Sequence, residues 1–91
     1  MIYMANPMRF KRVYQAHDVV RLLGVTLDTA WKWADNGTLS TYREGVSKDF
    51  AGVRLYNADE IDYLAPRMRK ERLRGMSPLP ANWKEVKKRF K

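Results

Sequence analysis

The chain has 91 residues, no cysteine, one histidine, 45% apolar residues and a formal net charge of +8 at pH 7. That composition fits one small domain with a modest core, and it excludes disulfides, thiolate zinc sites, cysteine nucleophiles and a histidine metal cluster. No apolar run approaches the roughly 18 residues that span a bilayer, and MIYMANPMRFKRVY lacks the apolar core and cleavage site of a signal peptide. A cytoplasmic protein with neither cofactor nor metal is expected.

In chain order, Val13 and Tyr14 read as a short strand or an extended lead-in. A first helix is expected over Ala16–Leu23, where Val19, Leu22 and Leu23 recur at helical spacing one turn after Ala16. Gly24 follows the last periodic residue and suits a left-handed C-cap. Thr26 is a good N-cap for a second helix, and Asp28 in its first turn favours the positive end of the dipole. That helix runs to about Asn36, with Gly37 as terminator. Its inner stripe is Ala30, Trp33 and Ala34. Its other side carries Asp28, Thr29, Trp31, Lys32 and Asp35.

Residues 39–56 lose the helical period. The segments 39–43 and 53–56 alternate apolar and polar residues, which predicts a β-hairpin with GVSKDFAG at its tip. A third helix is expected from Asn57, where Asn57 and Glu60 form a capping-box-like pair ahead of Ile61 and Leu64, and Pro66 is expected to end it. RMRKERLR, residues 67–74, either prolongs the helix or stays irregular, and GMSPLP, residues 75–80, is a linker. Trp83, Val86 and Phe90 fall at i, i+3 and i+7 among lysines, giving one short basic amphipathic helix. A helix that short is marginal alone, so it docks on the body or orders on DNA.

The charge is unevenly placed. Residues 1–66 hold eight Lys/Arg and eight Asp/Glu, whereas residues 67–91 hold ten and two. The division expected is therefore a neutral body, residues 1–66, and a basic C-terminal extension, residues 67–91. Clustered cations gain free energy by releasing counterions condensed on phosphates, although a solvated, solubilising tail has the same composition. A short apolar helix joined by a tight turn to a helix with a polar outer face tips the balance toward DNA, because that arrangement presents side chains to a duplex.

Two blocks carry a family resemblance. Thr29, Trp33, Gly37 and Leu39, spaced T-x-x-x-W-x-x-x-G-x-L, follow DVVRLLGVT, and GVRLYNADEIDYL follows with Arg54, Tyr56, Glu60 and Ile61 in register. Together they resemble the winged helix-turn-helix of phage excisionases and of the DNA-binding domains of MerR-type regulators, over about residues 14–65. Gln15 stands where such proteins often carry Ser or Thr. The resemblance implies a mainly α fold with a small β-hairpin, in which the second helix enters the major groove. The hairpin, as a wing, reaches an adjacent minor groove or the backbone. It also implies a DNA-bending excisionase that binds beside an attachment site and directs an integrase toward excision. The partners are then double-stranded DNA, that integrase, and neighbouring copies of the protein along the DNA. No membrane and no small-molecule effector are expected, and the setting is the bacterial host cytoplasm, at the nucleoid.

Candidate contacts follow from this frame. Lys32, opposite Trp33, suits a phosphate or a guanine edge, against a bland role in helix solubility. Asp28 and Thr29 lie at the end that usually reaches bases. Asp28 either accepts from a cytosine amino group or serves the dipole alone, and Thr26 caps first and offers a hydroxyl second. Trp31 points away from the core side of its helix. It packs on the sugar–phosphate surface, meets a thymine methyl, or is covered by the C-terminal helix.

The wing cations are Arg43, Lys48 and Arg54. Lys48 near the tip is the minor-groove candidate, and Arg54 holds a phosphate or braces the wing. Arg21 on the first helix is a backbone candidate, as are Arg67, Arg69, Lys70, Arg72 and Arg74. Four to six of the tail cations on phosphates would give a log–log salt slope of roughly −4 to −5, without sequence information.

An enzyme is the weakest reading, since no nucleophile, base and orienting group can be assembled around His17. A small winged helix-turn-helix transcriptional regulator is the main alternative, but the tail has no heptads for the dimerising coiled coil of MerR-type regulators. A small terminase subunit needs a larger oligomerisation region. A pure protein-interaction module leaves the two-helix unit unused.

Overall fold

The computed structural model describes residues 10–73 and 79–90. Among these, four helices and a three-stranded antiparallel sheet follow the order β1 (Val13–Tyr14), α1 (Ala16–Leu23), α2 (Leu27–Asp35), β2 (Thr41–Glu44), β3 (Val53–Asn57), α3 (Ala58–Leu73) and α4 (Trp83–Lys87). The sheet order is β1-β3-β2. It is a small α-plus-β domain, mainly helical.

Local chemistry starts and stops α1 and α2 much as the sequence suggests. At the head of α1 the Asp18 carboxylate accepts the Gln15 backbone N–H at 3.2 Å. Gly24 closes the helix at φ 69°, a conformation that a Cβ disfavours, and donates its N–H to the Val20 carbonyl. Thr26 then caps α2, its hydroxyl accepting the Thr29 N–H at 3.2 Å. Val19, Leu23 and Ala30 are fully buried, and Trp33 and Ala34 pack against the same core.

The hairpin pairs Thr41 with Tyr56, Tyr42 with Leu55, Arg43 with Arg54 and Glu44 with Val53. Beyond it the chain closes a tight turn through two backbone bonds between Ser47 and Phe50. Gly52 sits at φ 88°, and a Cβ there would stand 2.7 Å from the Glu44 carbonyl oxygen, so this position requires glycine. Val13 and Tyr14 do form a strand, paired with Asn57 and Tyr56. Asp62 of α3 fastens it, taking the Arg12 guanidinium and the Tyr14 hydroxyl at 2.8 Å each. The Tyr14 hydroxyl is held above its usual pKa first by that hydrogen bond to Asp62.

Three expectations are corrected. Pro66 does not end α3, which continues to Leu73, so the boundary drawn at residue 66 falls inside a helix. A proline inside a helix costs about 3 kcal/mol. Here Met68, one turn beyond Leu64, is fully buried, and the Arg67 guanidinium lies 3.6 Å from the centre of the Tyr63 ring and donates to the Tyr63 carbonyl. Burial and these contacts offset the loss.

The pair Asn57 and Glu60 does not form a capping box. Asn57 ends β3 and gives its N–H to the Ser40 carbonyl at 3.1 Å, while its side chain accepts the Asp59 N–H. Glu60 instead turns into the core, fully buried, and accepts the Ser40 N–H at 2.8 Å. The C-terminal helix, expected to reach Phe90, is α-helical over Trp83–Lys87 only.

That helix docks on the body. Trp83 is buried, stacks on Tyr63 at 6.0 Å between ring centres and donates its indole N–H to the Thr38 carbonyl at 2.7 Å. Val86 is buried beside it, Phe90 meets the Tyr63 ring edge-on, and the Lys87 ammonium donates to the Gly37 carbonyl. Trp83→Ala should therefore cost about 3–5 kcal/mol, measured by denaturant unfolding of the full chain.

Burial raises the Glu60 carboxyl above its ordinary pKa, partly countered by the bonds from Ser40 and by the charge of Lys87. A carboxyl raised by folding is more readily protonated in the native state. Its contribution to stability is thus greatest at acid pH and falls as pH climbs from the ordinary glutamate range through the raised folded value. Glu60→Gln should remove that decline from the pH–stability profile while keeping an oxygen for the Ser40 N–H.

Candidate nucleic-acid interface

Helical geometry divides α2 into two faces. Ala30, Trp33 and Ala34 turn inward, and Leu27, Asp28, Trp31, Lys32 and Asp35 are exposed. The inward face is held from below by Tyr56, fully buried, whose hydroxyl donates to the Ala30 carbonyl at 3.0 Å. Burial raises the Tyr56 hydroxyl above its usual pKa, so it remains a neutral donor.

The hairpin stands beside the outward face. Arg54 of β3 donates to the Asp35 carboxylate at 2.8 Å, with the arginine side chain 16% exposed and the aspartate 68%. A cleft of about 580 Å³ lies between the start of α1, α2 and the hairpin, with Leu27 and Trp31 on one wall and Arg43, Val53 and Arg54 on the other.

The predicted site residues are distributed as follows. Lys32 and Asp28 are exposed on the outward face of α2, with Thr26 exposed at its cap and Thr29 half-buried, its hydroxyl bonded by that of Thr26 at 3.0 Å. Thr26 is thereby engaged as a cap. Arg43 and Lys48 are exposed on the hairpin. Arg54 is taken up by Asp35 and acts as a brace between β3 and α2. Arg21 is exposed but bonded to Asp18 at 3.1 Å. Arg67, Arg69 and Lys70 are exposed on the last turns of α3. Arg72 belongs to that helix, its side chain outside the described residues, and Arg74 lies outside them altogether.

Trp31 corrects one of its three readings. It is 48% exposed, because α4 packs against residues 37 and 38, past the other end of α2, and does not cover it. What the sequence did not single out are the α4 lysines as neighbours of this region. Lys84, Lys87 and Lys88 line a second cavity, of about 830 Å³, together with Asn36, Gly37 and Thr38 at the end of α2. Lysines so close to the last carbonyls of a helix are favoured by its dipole. The only sequence signal for this proximity was the apolar spacing of Trp83, Val86 and Phe90, which says that the helix docks but not where.

Chemically, the arrangement offers an exposed lysine, two exposed carboxylates, Asp28 and Asp35, the second paired with Arg54, and apolar surface, on a helix packed on the core through its inward face. Among the described residues no group of three or more His, Asp or Glu is placed to hold a metal ion. No described helix is long and apolar enough to cross a membrane. Comparison with known proteins finds no matching family model, no matching curated protein and no matching solved structure.

Arg54→Ala should loosen the hairpin from α2. A largely exposed partner limits the loss in global stability to about 1 kcal/mol, so the sharper readout is amide exchange, faster in residues 41–44 and 53–57 than in α1.

Proposed function

We propose that the protein binds double-stranded DNA as a winged helix-turn-helix, with α2 in the major groove and the hairpin as the wing against the flanking groove or backbone. The observation that carries this reading is the outward face of α2. Lys32, Asp28 and Trp31 stand in solvent on a helix whose opposite face is locked to the core, with the hairpin braced alongside through Arg54 and Asp35. A rigid helix presenting polar and aromatic groups next to a hairpin has the shape and chemistry to enter a groove about 12 Å wide.

Affinity and specificity divide between parts of the chain. Lys32, Thr29, Asp28 and the wing cations Arg43 and Lys48 serve base and nearby phosphate contacts. Arg67, Arg69 and Lys70 of α3, with Arg72, Arg74 and the α4 lysines, serve the backbone, where counterion release supplies free energy without reading sequence. The particular role is that of an excisionase, which bends DNA beside an attachment site and directs an integrase toward excision, with copies contacting one another along repeated sites. What supports it is the resemblance in residues 14–65.

A footprint on DNA flanking the gene, combined with a recombination assay using a neighbouring integrase, tests the role. Protection near an attachment site and excision that depends on the protein are expected. Protection of a promoter alone, with excision proceeding unaided, assigns it as a transcriptional regulator. For the interface itself, Lys32→Ala should weaken binding to the protected site about tenfold or more. Replacing Arg67, Arg69 and Lys70 by alanine should flatten the log–log salt slope by about 2 to 3 and weaken all duplexes alike.

A further inference from the structure

The large apolar side chains that stand exposed among the described residues are Leu27, Trp31, Val46, Phe50 and Val53, all on α2 or on the hairpin and its tip. Two of them, Leu27 and Trp31, are one helical turn apart on the outward face of α2, 41% and 48% exposed, and both line the 580 Å³ cleft that Val53, 40% exposed, borders from the hairpin. Apolar surface gathered in this way marks a contact. The chain's own spare apolar element does not supply it, since α4 is engaged beyond the far end of α2.

Charge narrows the choice of occupant. Lys32 on the same helix and Arg43 on the cleft wall are exposed cations, and they favour an anionic occupant over a neutral protein surface. Asp28 is exposed beside the strip and its carboxylate disfavours a phosphate at that point, whereas Asp35 is paired with Arg54. A polyanion whose phosphates are turned away from the strip presents base edges to it. On the floor of the major groove the apolar group is the C5 methyl of thymine.

We infer that Leu27 and Trp31, with Val53 closing the strip, read thymine methyl groups in the major groove, so that the preferred site carries thymines at the positions facing the middle of α2. This rests on the DNA-binding reading. Each buried methyl strengthens binding about fourfold, and Lys32 next to the strip can address a neighbouring purine or phosphate.

The test enriches duplexes from a randomised pool on the full-length protein, then replaces thymine by deoxyuridine in the enriched duplex, which deletes the methyl and leaves every hydrogen-bonding group. The wild type should lose about fourfold in affinity at each of one or two positions. Trp31→Ala and Leu27→Ala, both at exposed positions and checked for unchanged thermal melting, should each lose the thymine–deoxyuridine difference at the position its side chain covers, and the double variant should bind the two duplexes equally. Equal binding of the two duplexes by the wild type overturns the inference while leaving DNA binding intact. Failure to enrich any duplex overturns the DNA-binding reading and this one with it. In that case a dimer in sedimentation that Trp31→Ala dissociates identifies the strip as an interface between copies.

Discussion

The carboxylate of Glu60 holds together three segments that would otherwise part. It is removed wholly from water in the first turn of α3, and its Oε1 receives the Ser40 N–H, while the Ser40 carbonyl receives the N–H of Asn57. The stretch leading out of α2 into β2 is thereby tied to the point where β3 becomes α3. Burying an ionised carboxylate costs several kcal/mol unless hydrogen bonds and opposite charge compensate it. The second oxygen has no hydrogen-bond partner among the described residues, and the compensation comes from Ser40 and from the nearby Lys87 charge. An apolar residue of similar size would avoid the desolvation but strand the Ser40 N–H, a loss of about 1–3 kcal/mol. Further out, the hairpin is tied to α2 by the Arg54–Asp35 pair.

Lys87 links that junction to the C-terminal segment. Its ammonium reaches the Gly37 carbonyl, and the Trp83 indole takes the Thr38 carbonyl next to it. Both acceptors belong to the turn that leaves α2, beyond its last helical residue Asp35. A lysine and a tryptophan from fifty and forty-five residues away satisfy them. The C-terminal segment is thus part of the domain's packing as well as the source of its positive charge, and removing it would release the end of α2 along with the cations. This is why a division of the chain by charge and a division by packing fall in different places.

Local signals were legible in the sequence and long-range ones were not. The spacing of Val19, Leu22 and Leu23, the cap at Thr26, and the alternation on either side of GVSKDFAG each depend on neighbours within a turn or a strand pair, and each yields the element expected of it. Pro66 misleads because its cost is local while the gain comes from Met68, Arg67 and Tyr63 after the helix has been laid on the core. Glu60 misleads in the same way. Asn-x-x-Glu matches a capping pattern, but the Asn57 N–H was already committed to Ser40, and no local rule shows that commitment. In the candidate interface, Lys32, Asp28 and Trp31 were readable from the helical period once Trp33 was set inward. The engagement of Arg54 by Asp35 and the approach of the α4 lysines to residues 36–38 depend on tertiary geometry and were not readable.

Trp31 and Trp33 carry the same side chain two positions apart on one helix and meet opposite environments. A two-residue step turns the side chain by roughly 200°, so if one faces the core, the other faces away. Trp33 is thereby accounted for by packing against the core, and Trp31 is not. Tyr56 of β3 and the packing of α1 hold the inward face on the core, and α4 holds the turn beyond its end, so rolling α2 to bury its second tryptophan would break these contacts. A helix fixed in this way keeps a large aromatic in water, at a cost that ordinary surface residues such as lysine or glutamate would avoid. The same fixation removes the entropic penalty of ordering that face on binding, which makes the exposed tryptophan useful to a partner that supplies apolar contact at a defined depth.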